Sequence, residues 1–144
     1  LVDTLKQSHS AGVVHRDVRQ DNILQTTSGE IVLIDWGCAY RLSEQSIPSF
    51  EGTFRYASDE VLACAIVGKD FKQQPKDDLQ SLARVVLTQN SPSVREELAN
   101  LGPGDLKPVK DFWLRKRRSY PVHEWLFDAA EQCQYDTMKQ AILG

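Results

Sequence analysis

His15-Arg16-Asp17-Val18-Arg19-Gln20-Asp21-Asn22 and, further on, Asp35-Trp36-Gly37 bracket two short β-branched runs. The runs are Ile23-Leu24 and Ile31-Val32-Leu33-Ile34, and Thr27-Ser28-Gly29 between them carries turn residues. This pattern predicts a hairpin. A hairpin returns the chain, so it can bring Asn22 and Asp35 together. Asn22 offers an amide oxygen and Asp35 a charged one, both hard donors suited to magnesium. Asp17, on the loop before the first strand, is a carboxylate able to accept or orient an incoming hydroxyl. Positioning of a hydroxyl, neutralised phosphate charge and oxygen-held metal are what phosphoryl transfer asks of a protein.

Upstream, Val2, Leu5 and Ser8/His9 recur at helical spacing, and Ala11-Gly12 ends the run. Downstream, positions 38–56 have no period and read as a long loop, of the kind that usually has a function. Positions 58–67 predict a short helix. Pro75 precedes a strong helix with Leu79, Leu82, Ala83, Val86 and Leu87 on one face. Another short helix is expected from Val94 to Leu101, and another opening at Pro108. A last one opens at Pro121, with Val122, Trp125, Leu126, Ala129, Cys133, Met138 and Ile142 as its buried stripe. Trp113, Trp125 and Phe127 are assigned to the core.

Bulk properties set the limits. The 144 residues are 41% hydrophobic and 26% charged, enough for one domain with its own core. A net charge of −3 excludes a global case for nucleic acid. The Arg115-Lys116-Arg117-Arg118 run reads as a local structural cluster or a solvated helix end. Cys38, Cys64 and Cys133 are odd in number and widely spaced, which predicts reduced thiols in an intracellular, cytoplasmic protein. The longest apolar runs, 31–34 and 85–87, are far too short to span a membrane. The chain opens at Leu1 inside an amphipathic pattern, and the expectation is a segment of something longer.

The loop and the Asp-Trp-Gly triplet resemble the protein kinase signatures H-R-D-x-x-x-x-N and D-F-G. Two later blocks agree in order and approximate spacing. Gly52-Thr53-Phe54-Arg55-Tyr56-Ala57-Ser58 and Asp77-Asp78-Leu79-Gln80-Ser81-Leu82 are similar to blocks of casein kinase one and its relatives. The resemblance covers residues 1 to about 90. It implies a mainly α fold with one small β-hairpin, the C-terminal lobe of a kinase with the N-terminal lobe absent. The expected layout is a helix over 1–12, then catalytic loop, hairpin and triplet over 13–37. An activation segment over 38–60 and a helical bundle over 61–144 follow.

The resemblance also implies roles. ATP and Mg2+ are the cofactors and a protein hydroxyl is the acceptor. Asp17 is the catalytic base or orienting group, with Arg19 facing the γ-phosphate and Thr53 bridging to Asp17. Asn22 and Asp35 hold the metal, and Asp78 ties the catalytic loop's backbone from below. His15 is expected to be a packed structural histidine. Arg16 is expected to receive an activation-loop phosphate, with Ser43, Ser46, Ser49 and Thr53 as candidate sites. Glu60 is expected to pair with Arg115, Arg117 or Arg118. Arg19 leaves the acceptor open, and the 52–58 block leans towards serine or threonine. Trp36 departs from the pattern, as do Ser58-Asp59-Glu60 and Ala83. Nothing in the 144 residues resembles the Gly-rich loop, strand lysine or helix glutamate that grip ATP from the other side. The segment alone is therefore expected to be inactive. The alternatives are a pseudokinase or scaffold, and a kinase-fold enzyme acting on small molecules.

Overall fold

A computed structural model describes residues 1–46, 50, 53–102 and 104–143. The expectations that fall on Pro48, Ser49, Gly52 and Pro103 lie outside these residues. Helix α1 (Val2–Ser10) buries Val2, Leu5 and His9, a stripe at three- and four-residue spacing. Gly12, at φ +77°, turns the chain out of it.

The hairpin forms as expected from β2 (Ile23–Gln25) and β3 (Ile31–Leu33). Ile23 lies opposite Leu33, and Gln25 opposite Ile31. Gly29 takes φ +89° in the turn. The Ile34 N–H bonds the Asn22 carbonyl at 2.8 Å and carries the ladder one step towards the functional end. A second ladder was not anticipated. It pairs β1 (Val13–Val14) with β4 (Tyr40–Arg41), antiparallel, with Val14 opposite Tyr40. Two-residue strands have no readable period, and their partner is distant in sequence.

The remainder is helical. Ser58 caps α2 (Asp59–Ile66), its hydroxyl accepting the Val61 N–H. Helix α3 (Pro75–Asn90) lies at the centre, with Leu79, Leu82, Ala83 and Leu87 in the core. Helix α4 (Pro92–Ala99) starts earlier than its apolar pattern suggests, because Ser91 caps it and Pro92 suits a first turn. Helix α5 (Leu106–Arg117) likewise starts before Pro108 and contributes Phe112 and Trp113 to the core.

The single last helix expected from Pro121 is two helices, α6 (Pro121–Glu131) and α7 (Tyr135–Leu143). Between them Cys133 adopts φ +52°. The Cys133 N–H bonds Ala130 O and the Gln134 N–H bonds Ala129 O, a Schellman termination without glycine. The break changes which residues are buried. Leu126, Phe127, Ala129 and Ala130 face the core, whereas Val122 and Trp125 are 47% and 44% exposed. Trp125 sits a hundred degrees round the helix from Leu126, on the solvent side. Among the described residues no helix is long and apolar enough to cross a membrane.

Candidate functional site

The site is built around a buried carboxylate that belongs to α3. Asp78 accepts the backbone N–H groups of His15 at 2.8 Å and Arg16 at 2.9 Å. Arg16 takes φ +75°, so the loop doubles back over the helix at that point. Its guanidinium donates to Cys38 O at 3.1 Å and lies over the Tyr40 ring. His15 is wholly buried, as expected of a structural histidine. Its Nδ1 accepts the Asp17 N–H, which leaves Nε2–H to donate to Ile34 O at 2.9 Å. One ring thus spaces the Asp17 loop from the end of β3.

Asn22 brings the loop to the hairpin. Its amide nitrogen donates to Asp17 O at 2.8 Å and to Asp17 Oδ2 at 3.0 Å. Two acceptors at the nitrogen settle the amide orientation and leave the Asn22 oxygen uncommitted to Asp17. The other oxygen of Asp17 faces Arg19 Nε at 3.4 Å, and Arg19 also reaches Asp21 at 3.5 Å. Asp17 is 8% exposed. At the other strand end, Asp35 follows the residue bonded to Asn22 O, so Asn22 and Asp35 share one end of the hairpin. Asp35 is exposed and in the left-handed region at φ +58°, accepting the Gly37 N–H.

The left-handed turn is made by Asp35, which tolerates it better than most residues. A Cβ at Gly37 would meet Asp35 Oδ1 at 3.2 Å, so glycine gives that carboxylate room. Trp36 donates its indole N–H to Leu33 O at 3.2 Å and sets its ring edge-on to His15. A phenylalanine could keep the second contact only.

The donor set fits magnesium in kind. Among the described residues no group of three His, Cys, Asp or Glu side chains gathers to hold a metal. An amide and one carboxylate are instead the sparse protein contribution expected where phosphate and water oxygens complete the shell.

Thr53 lines a narrow crevice with Asp17, Arg16 and Ala57. It also lines a cleft of about 360 Å3 with Arg19, Asp21 and Tyr56. Among the described residues no hydrogen bond joins Thr53 to Asp17, so the expected bridge is a shared wall. The turn after Thr53 is anchored from α5, where the Trp113 indole donates to Arg55 O at 2.7 Å. Ser43 and Ser46 are exposed on the loop. That loop is pinned at its start, where Lys72 Nζ donates to Leu42 O at 2.8 Å and the Tyr40 hydroxyl to Gln73 O.

The ion pair predicted for Glu60 does not form with a late arginine. Glu60 binds Lys76 at 2.7 Å. Its neighbour Asp59 pairs with Arg84, a wholly buried guanidinium that also donates to Ala57 O and lies over Trp113. Burial lowers the pKa of Arg84 and the Asp59 charge opposes that shift. Sequence reading missed Arg84. The signal was a polar stripe of Asp77, Gln80, Arg84 and Thr88 down one side of an otherwise apolar helix. Ser58 bonds Asp77 and the Asp59 N–H meets Gln80 along that stripe. Of the basic run, Lys116 pairs with Glu97, and Arg117 with Asp128 and Glu131, as a structural cluster requires.

A family model described as the protein kinase domain matches residues 1–95. The chain is similar to a probable serine/threonine-protein kinase of Dictyostelium discoideum. The two are 25% identical over 142 residues, which covers 95% of this chain and 22% of that protein. Serine/threonine-protein kinase PSK2 of Saccharomyces cerevisiae is 35% identical over 77 residues, 54% of this chain and 7% of its own. Serine/threonine-protein kinase 10 of Danio rerio is 31% identical over 114 residues, 76% and 11% of the two chains. The chain spans about a fifth or less of the length of these relatives.

Proposed function

The chain belongs to the protein kinase family, and we propose that it forms the C-terminal lobe of an ATP-dependent serine/threonine kinase acting on a protein hydroxyl. The observation that carries this reading is the Asp17–Asn22 pair at the mouth of the hairpin. Asn22 spends its amide hydrogens on Asp17 and keeps its oxygen for a cation, with Asp35 on the same strand end. Asp17 orients the acceptor hydroxyl and takes its proton. Arg19 lends positive charge beside Asp17, towards the γ-phosphate. Asn22 and Asp35 would hold magnesium, which would neutralise phosphate charge there. Thr53, on the wall of the cleft beside Arg19, borders the acceptor segment. The kinase names of the relatives support the serine/threonine assignment. Free cysteines at all three positions agree with an intracellular setting.

The test is phosphotransfer by the full-length protein and its Asp17→Asn variant. Removing the carboxylate keeps the shape and is expected to lower kcat by about 10²- to 10⁴-fold. Equal turnover in the two proteins would strip Asp17 of this role. A folded, magnesium-binding wild type without turnover would instead leave a pseudokinase that binds partners.

A further inference from the structure

Asp78 is held from behind by a contact that the proposed chemistry does not use. Tyr135 is the first residue of α7, and its hydroxyl lies 2.7 Å from His9 Nδ1. His9 Nε2 lies 2.8 Å from Asp78 Oδ2. That same oxygen accepts the His15 N–H, and the other accepts that of Arg16. A continuous chain of hydrogen bonds therefore runs from the C-terminal helix to the two residues before Asp17.

The direction of the bonds follows from the groups. The Asp78 carboxylate only accepts, so His9 carries its proton on Nε2. Nδ1 of that tautomer accepts, and the Tyr135 hydroxyl donates. Burial, with smaller contributions from Cys133 and Asp78, raises the Tyr135 pKa to about 12, so the hydroxyl keeps its proton throughout the neutral range. The other tautomer would set a lone pair of His9 against Asp78 Oδ2 inside the protein, an unpaired and repulsive contact. Tyr135 reaches this place because Cys133 ends α6 in the left-handed region and starts α7 close to α1.

We propose that Tyr135 is a positioning residue for the 15–17 loop. Its hydroxyl bonds His9 Nδ1 and holds the ring with Nε2 on the Asp78 carboxylate, which keeps that carboxylate on the His15 and Arg16 amides and so sets the place of Asp17. The consequence for turnover rests on the kinase reading; the consequence for the loop does not.

The experiment is residue-resolved amide hydrogen exchange on the full-length protein and its Tyr135→Phe variant, with phosphotransfer kinetics alongside. Loss of one hydrogen bond is expected to speed exchange at His15 and Arg16 about fivefold, while the Leu82 and Val85 amides of α3 stay unchanged. His9→Ala should act on the same two amides, and adding Tyr135→Phe to it should change nothing further. In an active kinase, kcat falls and KM for ATP holds. Unchanged exchange at His15 and Arg16, or a uniform rise across α3 as well, would overturn the proposal. Faster loop exchange in a protein that never turns over supports the positioning role and counts against the kinase reading.

Discussion

Asp17, Asn22 and Asp35 were readable as oxygen donors in a functional order, because their identities carry the chemistry. The hairpin that brings Asn22 and Asp35 to one end was readable too, but the finer relations among the three were not. That Asn22 turns its nitrogen to Asp17, and that Asp35 itself makes the left-handed turn, depends on backbone angles no residue name encodes. Tyr40 shows the same limit. Sequence placed it in a structureless loop, yet it is a buried strand residue whose hydroxyl donates to Gln73 O. Burial raises its pKa to about 12, against an ordinary value of 10.0. A pKa raised by folding means that the folded state holds the proton more tightly. The contribution to stability is therefore complete below pH 10 and is lost as pH rises through 12. Denaturant titrations should show Tyr40→Phe less stable than wild type at neutral pH, with the gap closing between pH 10 and 12. A gap independent of pH across that window would mean that the proton on Tyr40 does not contribute.

At the scale of elements, helix α3 was recognised by its apolar face, while its polar one went unread. Its stripe of Asp77, Gln80, Arg84 and Thr88 is as buried as the leucines and receives residues 57–59. Because Ser58 caps α2, Asp59 becomes its first residue and faces the stripe. Glu60, a hundred degrees further round, meets Lys76 at the surface instead. The two pairs should differ in worth. Asp59→Ala leaves Arg84 charged and enclosed, and is expected to cost about 3 kcal/mol. Glu60→Ala breaks an exposed pair and should cost under about 1 kcal/mol. Urea unfolding of both variants compares them directly, and an equal loss would remove the special standing of Arg84. The α6–α7 break belongs to this scale too. Apolar spacing runs through Cys133 almost in phase, and neither proline nor glycine marks the stop.

At the scale of the whole molecule, the hairpin, the loop over Asp78 and the 54–56 turn converge on one edge of the helical core. This edge carries the acceptor side and two metal ligands of the proposed reaction. Nothing in these 144 residues resembles the elements that close over ATP phosphates. The isolated polypeptide is accordingly expected to give no magnesium-dependent phosphotransfer above its own Asp17→Asn variant, while the full-length protein does. A radiolabelled ATP assay on the three proteins decides, and turnover by the isolated polypeptide would refute the division of labour.

By itself the sequence determined the family, the hairpin, the central helix and the identity of the acidic and amide donors. These rest on residue type and short-range period, which survive without coordinates. Only the tertiary structure decided which carboxylate pairs with Arg84, what pins Tyr40, where α6 ends, and how Tyr135 reaches the loop through His9 and Asp78. Each of those joins residues distant along the chain, or turns on one residue's backbone angle. Both are settled by packing as the core closes, and no local pattern records them.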